Sequence, residues 1–553
     1  MSDPVGPHRT PPRHPAAAGS PGVAGAPVVL PDVVAALRED LSAVGGPGYR
    51  VDAVADLLGP VAEAALHREQ PLAARRVVRA AAEAGDPLAA LVGAFVLGLE
   101  VPARSLAAAL PRCGLDGARG LGLLEPGEGG LARPLVELRP YAAVDAAGPA
   151  DWWVASDLGE MAVAGPLRTD HVLGIGGAST TLAQATVRAP VGRALDLGTG
   201  CGVQALHLRR HAREVVATDT SARALQFAAL TLALDGGAAG AAATAPVGLR
   251  RGSLLEPVAG ERFDLVVSNP PFVITPRAAG VPAYDYRDGG MVGDALVQHL
   301  VERVGDVLAP GGTAQLLGNW EHRAGEPWRE RVGAWLGASG LDGWVVQRDL
   351  LDPAAYAETW VRDGGQQAGP GFDALVGAWL DDLADRRVEA VGLGTVVLRR
   401  PRDGRGGRLR RLEELPGPVA GPLGGHVADV LAAEELLAAL DDDGLAALRL
   451  RVADDVTEER HARPGAEHPE VVLLRQGGGF GRTVRVGTAG AGVVGACDGE
   501  LPVGVLVGAV AALLERPAEE VAAEVLPVVR GLVRDAMLVV APAQGPTSGL
   551  GAA

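Results

Sequence analysis

Apolar side chains recur at three- and four-residue spacing from Leu30 to about Leu138, as in Val33-Val34-Leu37-Leu41 and Val54-Leu57-Leu58-Val61. That period gathers them on one face of amphipathic helices, so residues 30–145 are expected to form a helical unit. Near its end, Pro102–Leu110, a Gly-containing turn and Gly117–Leu124 precede a Gly-rich, hairpin-like stretch at 126–138. This order fits a winged helix-turn-helix and a plain helical bundle equally well. Between 150 and 401 short apolar runs alternate with helical periods, the pattern of a parallel sheet covered on both faces. Strands are predicted at Arg193–Leu197, Glu214–Thr218, Gly248–Arg251, Phe263–Ser268, Thr313–Leu317, Gly343–Gln347 and Gly392–Leu398. The expected fold class is therefore α/β, a seven-stranded doubly wound unit with flanking domains. Residues 402–420, rich in Arg and Gly, read as a linker, and 421–540 as an α+β domain. That last domain has a strand at Arg482–Val486, helices at Leu501–Leu514 and Ala518–Ala536, and again a winged-helix-like order. Residues 1–29 and 541–553 are expected to be disordered tails.

Composition narrows the function. All 50 basic residues are arginine, which points to a GC-rich genome rather than to a role. A net charge of −17 excludes a chain that coats nucleic acid nonspecifically, because its field repels phosphates. A local basic groove stays open at Arg399, Arg400, Arg402, Arg405, Arg408, Arg410 and Arg411, against the commoner reading of a solvated linker. Cys113, Cys201 and Cys497 are far apart and have neither zinc nor disulfide spacing, so no metal is expected and a reducing cytoplasm fits. The Pro-rich N-terminus does not have the form of a signal peptide, and no apolar run reaches the ~18 residues of a membrane span. His207 and His211, at i and i+4 without an acidic partner, are expected at the solvent.

Asp196-Leu197-Gly198-Thr199-Gly200-Cys201-Gly202 sits where the first strand gives way to a helix. Glycines at alternate positions let the backbone turn sharply and approach a ligand without a Cβ in the way, and the following helix start offers amide donors. Asp219 ends the next strand, 20 residues beyond Thr199, where an acid can bind ribose hydroxyls. Loop, helix, strand and acid in this order resemble the class I methyltransferases. The resemblance implies S-adenosylmethionine as cofactor, with Asp196, Gly198, Gly200 and Gly202 around its methionyl part and Asp219 on its ribose. Ser253 stands where the family often has an acid against the adenine amine.

Asn269-Pro270-Pro271-Phe272 directly follows the buried strand Phe263–Ser268. An amide or exocyclic base amine has a delocalised lone pair and attacks poorly. If Asn269 Oδ1 and the Pro270 carbonyl each accept one N–H, that lone pair can be turned toward a sulfonium methyl, while Phe272 stacks on the flat substrate. This site resembles the Asn-Pro-Pro-Tyr/Phe methyltransferases, which include the HemK-type glutamine enzymes, adenine amine enzymes and ribosomal RNA guanine amine enzymes. Arg287-Asp288-Gly289-Gly290 resembles a HemK-type segment. The Pro-Arg-Pro-Glu-Thr of those enzymes is replaced by Gly176-Gly177-Ala178-Ser179-Thr180-Thr181, and the histidine usual after Phe in the guanine enzymes is Val273.

The expectation is thus an N-methyltransferase with Asn269, Pro270 and Phe272 catalytic, Asn269 also beside the cofactor, and Pro271 and Tyr286 near the substrate. An exocyclic base amine of RNA (or DNA) is the first substrate class, and nucleic acid the partner. The alternative is the glutamine amide of a protein of the translation apparatus. A non-catalytic, cofactor-binding regulatory module is the reading from another class.

Overall fold

The computed structural model describes residues 25–541 except 146–147, 161, 164–166, 237–244, 367–368, 404–406, 418, 420 and 466–467. Of the expected tails, all but residues 25–29 and 541 lie outside the described residues, as does Arg405.

Every predicted strand of the central unit forms. They are β1 (Val191–Leu197), β2 (Ala212–Asp219), β3 (Val247–Arg251), β4 (Phe263–Ser268), β5 (Leu308–Arg323), β6 (Asp342–Leu351) and β7 (Val388–Arg399). An eighth, β8 (Arg410–Glu414), joins them, and the order across the sheet is β8-β6-β7-β5-β4-β1-β2-β3. All neighbours run parallel except β7, which is antiparallel to both β5 and β6. Runs such as Leu265-Val266-Val267 are apolar on both sides because both faces are covered. One face packs against Leu296, Val297 and Leu300 of the helix Ala295–Arg303 and against Trp328 and Trp335; the other meets Leu182, Ala205 and Leu208.

The N-terminal helices run from Pro31–Ala43 to Gly114–Gly120, and the hairpin Leu124–Pro126 with Leu131–Pro134 takes Val101–Pro102 as a third strand. The boundary expected between 145 and 150 instead falls inside a two-stranded ribbon, Val136–Asp145 with Gly148–Asp157. This ribbon welds the two units together. Tyr49 donates to Leu138 O at 2.8 Å, Trp153 Nε1 to Tyr49 O at 2.7 Å, and Trp152 Nε1 to Asp235 Oδ1 at 3.0 Å. It also corrects the reading of His207, which is buried against Trp152 and meets the Tyr141 hydroxyl at 2.8 Å. Burial pushes the His207 pKa down to about 3, so its ring is neutral.

The stretch 402–420 is no free linker, since β8 pairs with β6 from Gly343 to Gln347. Its charges are matched pairwise: Arg411 reaches Glu413 and Asp535, and Arg482 of the C-terminal unit reaches Glu413 at 2.7 Å. The arginine cluster is largely spent in this way. Arg399 meets Glu435, Arg408 meets Asp403 at 2.9 Å, and Arg400 donates to Leu308 O at 2.9 Å. The helix Gly424–Ala438 then packs Val427 and Val430 on Trp344, Val346 and Val397. Among the described residues no helix is long and apolar enough to cross a membrane.

Candidate active site

The carboxyl ends of β1, β2 and β4 open onto one cleft of about 1620 Å3, the edge at which α/β sheets hold ligands. Gly198, Gly200 and Gly202 leave β1 with φ of +76°, +54° and +89°. At Gly202 the need for glycine is double: that φ strains any side chain, and a Cβ would lie 3.2 Å from Ala228 Cα. The Gly198 and Thr199 amides donate to Thr218 O at 2.9 and 2.8 Å, tying the loop to the end of β2.

Asp196 lies beneath this loop rather than in the cleft. Its Oδ2 accepts from Thr199 Oγ1 at 2.6 Å, and its Oδ1 is buried without a partner. Burial pushes its pKa up to about 7, against the lowering pull of the Thr199 hydroxyl. Gly202 likewise supports from behind. Asp219 lines the cleft, accepting from the Gly200 amide at 3.0 Å and the Ser221 amide at 2.8 Å, and burial raises its carboxyl too. Cys201 is buried and its thiol pushed up to about 12, which keeps it protonated.

The Asn-Pro-Pro-Phe turn meets the glycine loop at the same rim. Ser268 Oγ donates to Leu197 O at 2.7 Å, fastening the ends of β4 and β1, and a Cβ on Gly198 would lie 4.0 Å from the Asn269 carbonyl oxygen. Asn269, Pro270, Pro271 and Phe272 all line the cleft. The Pro270 carbonyl accepts from the Phe272 amide at 2.7 Å, which leaves one lone pair for a ligand N–H. Phe272 stands edge-on to Trp360, with ring centres 6.4 Å apart. The Val273 amide donates to Arg287 O at 2.9 Å, so the Arg287-Asp288-Gly289 segment forms the adjoining wall. Ser253 and Tyr286 also line the cleft, and the Tyr286 hydroxyl is held by Asp363 Oδ2 at 3.0 Å.

Trp360 reaches the cleft, whereas Trp320, Tyr284 and Tyr356 are buried in the core. Thr180 Oγ1 donates back to Gly176 O at 3.1 Å. Sequence reasoning missed a polar wall on the N-terminal side. Asp157 and Arg223 form a buried ion pair with His171 beside them, and Glu137 and Arg139 flank it. Asp157 and Arg223 are 66 positions apart, so no local pattern joins them.

Residues 174–334 match the family described as methyltransferase small domain, and residues 47–134 and 429–540 match two domains of unknown function. Among curated proteins, a ribosomal protein uL3 glutamine methyltransferase of Bradyrhizobium diazoefficiens is 30% identical over 199 residues, covering 34% of this chain and 59% of that one. A release factor glutamine methyltransferase of Moorella thermoacetica is 35% identical over 150 residues, covering 25% and 50%, and one of Xylella fastidiosa is 45% identical over 83, covering 15% and 28%. The chain thus spans between 28% and 59% of the length of these relatives. Among solved structures, a T. thermophilus 16S rRNA N2 methyltransferase with AdoMet and guanosine aligns at 16% identity and a TM-score of 0.26, over 52% of this chain and 60% of that one.

Proposed function

Residues 174–334 form a class I methyltransferase domain, whose cofactor is S-adenosylmethionine, and from that premise we propose that the chain methylates the side-chain amide of a glutamine in a protein substrate. The observation that carries the choice of substrate is the charge of the cleft. Among the described residues its lining has nine carboxylates and five guanidiniums; Glu137, Asp157 and Asp363 pair with Arg139, Arg223 and Arg287, Asp170 and Asp288 with Arg168 and Arg277, and Arg362 with Glu358, which leaves Glu69, Glu160, Asp219 and Asp285 against Arg251. Such a lining repels a phosphate backbone and tolerates a neutral amide. The glutamine substrates in the names of the curated relatives point the same way. The base-amine reading leaned on an arginine cluster in which Arg399, Arg400, Arg408, Arg410 and Arg411 bond within the fold.

The residues suit the cofactor: glycines on a positive-φ turn leave a cradle without side chains at Gly200, and Asp219 borders it. When bound, the cofactor supplies an electrophilic methyl on a sulfonium. Asn269 Oδ1 and the free lone pair of Pro270 O accept the two amide N–H bonds and fix the plane of the amide, so that its nitrogen faces the methyl. Phe272, braced by Trp360, covers the flat group and keeps water off it. Asn269 works by position and dipole, holding an N–H whose proton would pass to water once the amide nitrogen has taken the methyl.

The test is incubation with tritiated cofactor and, in parallel, purified release factors, ribosomal proteins and total RNA from the same cells. Label on a glutamine of a protein is the expected result. Label that resists protease and is released by ribonuclease would overturn the choice of substrate.

A further inference from the structure

We infer that Glu137, on the ribbon between the N-terminal unit and the methyltransferase domain, is a cofactor-binding residue that supplies the counter-charge for the ammonium of the methionyl end. S-Adenosylmethionine carries two positive centres at that end, the ammonium and the sulfonium, and a desolvated cation needs a carboxylate or oriented carbonyls.

The other carboxylates near the glycine loop are committed. Asp196 is beneath it, pushed up to about 7 by burial; Asp219 accepts from two backbone amides; and Asp157 is neutralised by the buried Arg223. The strap Gly176–Thr181 that leads toward the loop brings no charge of its own.

Glu137 stands between strap and loop. Its side chain is 13% exposed and lines the cleft. A Cβ on Gly174, two residues before the strap, would come within 3.1 Å of its Oε2 and 2.8 Å of Ser156 Oγ, so the chain entering the strap passes closely over this carboxylate. Cys201 of the loop lines the same cleft. Ser156 Oγ donates to Oε2 at 3.3 Å and Arg139 bonds Oε1, which leaves lone pairs on both oxygens. Arg139 is 39% exposed, so solvent screens its claim on the carboxylate more than it could screen a bond inside the cleft. The ribbon would thus make the N-terminal unit part of the cofactor site rather than an appended substrate arm.

The test is a two-by-two titration calorimetry experiment on the full chain, wild type and Glu137→Gln, with S-adenosylhomocysteine and its desamino analogue. The amide is isosteric and keeps the Ser156 bond. Glu137→Gln should weaken S-adenosylhomocysteine by roughly tenfold or more and leave the desamino analogue unchanged, since a charge-assisted bond is removed in one case only. Equal losses for both ligands, or none for either, would overturn the assignment. Should the variant fail to fold, Glu137→Asp, which keeps the charge and shortens its reach, takes its place in the same two-by-two: a loss confined to the ammonium-bearing ligand upholds the role, and equal losses or none refute it. Neither readout depends on which substrate receives the methyl.

Discussion

Two glycines of the cofactor loop, two residues apart, should fail for different reasons when changed to alanine. Gly202 has φ +89°, and its added Cβ would press on Ala228 Cα and Cβ at 3.2 and 3.3 Å. Neither neighbour can rotate away, because both belong to the helix Ala222–Asp235, whose Phe227, Leu230 and Leu234 are fixed in the core shared with the N-terminal unit. A left-handed conformation costs a non-glycine residue about 1–2 kcal/mol and overpacking about 1–3 kcal/mol, so Gly202→Ala should destabilise the domain by about 2–5 kcal/mol. Gly200 has φ +54° and nothing within 4 Å of its added Cβ, which would project into open space at the cleft wall. Only the conformational cost of about 1–2 kcal/mol applies to the free protein, while the methyl occupies space that a closely approaching ligand needs. Thermal unfolding and calorimetric titration with S-adenosylhomocysteine separate the two effects. Gly202→Ala should show the larger fall in Tm. Gly200→Ala should lose only the smaller amount in stability yet bind at least roughly tenfold more weakly, equivalent to about 1.4 kcal/mol. The reverse order of stabilities, or normal binding by Gly200→Ala, would refute the placement of the cofactor over this turn.

Other consequences are sharper in one readout than another. Asn269→Ala should lower methyl transfer by roughly 100-fold or more, as for loss of a preorganised polar contact, with titrated cofactor affinity little changed; transfer at the wild-type rate would remove Asn269 from the mechanism. Asp157→Asn removes the charge that the buried Arg223 guanidinium pairs with and should cost about 3–5 kcal/mol by urea unfolding; a loss within error would mean that solvent reaches the pair. Asp196, raised from 3.8 to about 7, holds its proton more tightly in the folded chain than in the unfolded one. Its contribution to stability is therefore fully present below about pH 4 and is lost as the pH rises to about 7, so Asp196→Asn should flatten the fall in urea midpoint between about pH 4 and about pH 7. An unchanged slope in the variant would assign that dependence to other groups.

The parts of this molecule that were legible in its sequence are those where one strand or one turn contains the whole signal. The run Phe263–Ser268 is apolar because both sides of β4 are covered, and the glycines at 198, 200 and 202 are forced by the backbone itself, so each can be read without its neighbours. What escaped depends on partners far along the chain. β8 looks like solvated linker because Arg410, Arg411, Glu413 and Glu414 are charged, and only Asp535, Arg482 and the indoles of Trp344 and Trp328 reveal that those charges are matched. The boundary expected between 145 and 150 falls inside the ribbon, although alternation at Val136 and Leu138 and at Trp152 and Val154 marks an inward face. Split there, His207 turns to solvent and Glu137 belongs to the helical unit; with the ribbon whole, the histidine is neutral core and Glu137 and Asp157 are cleft wall. The substrate reading turned on the same kind of information, since net charge and an arginine-rich stretch describe the chain, whereas selection against a phosphate backbone depends on which charges remain unpaired around the cleft.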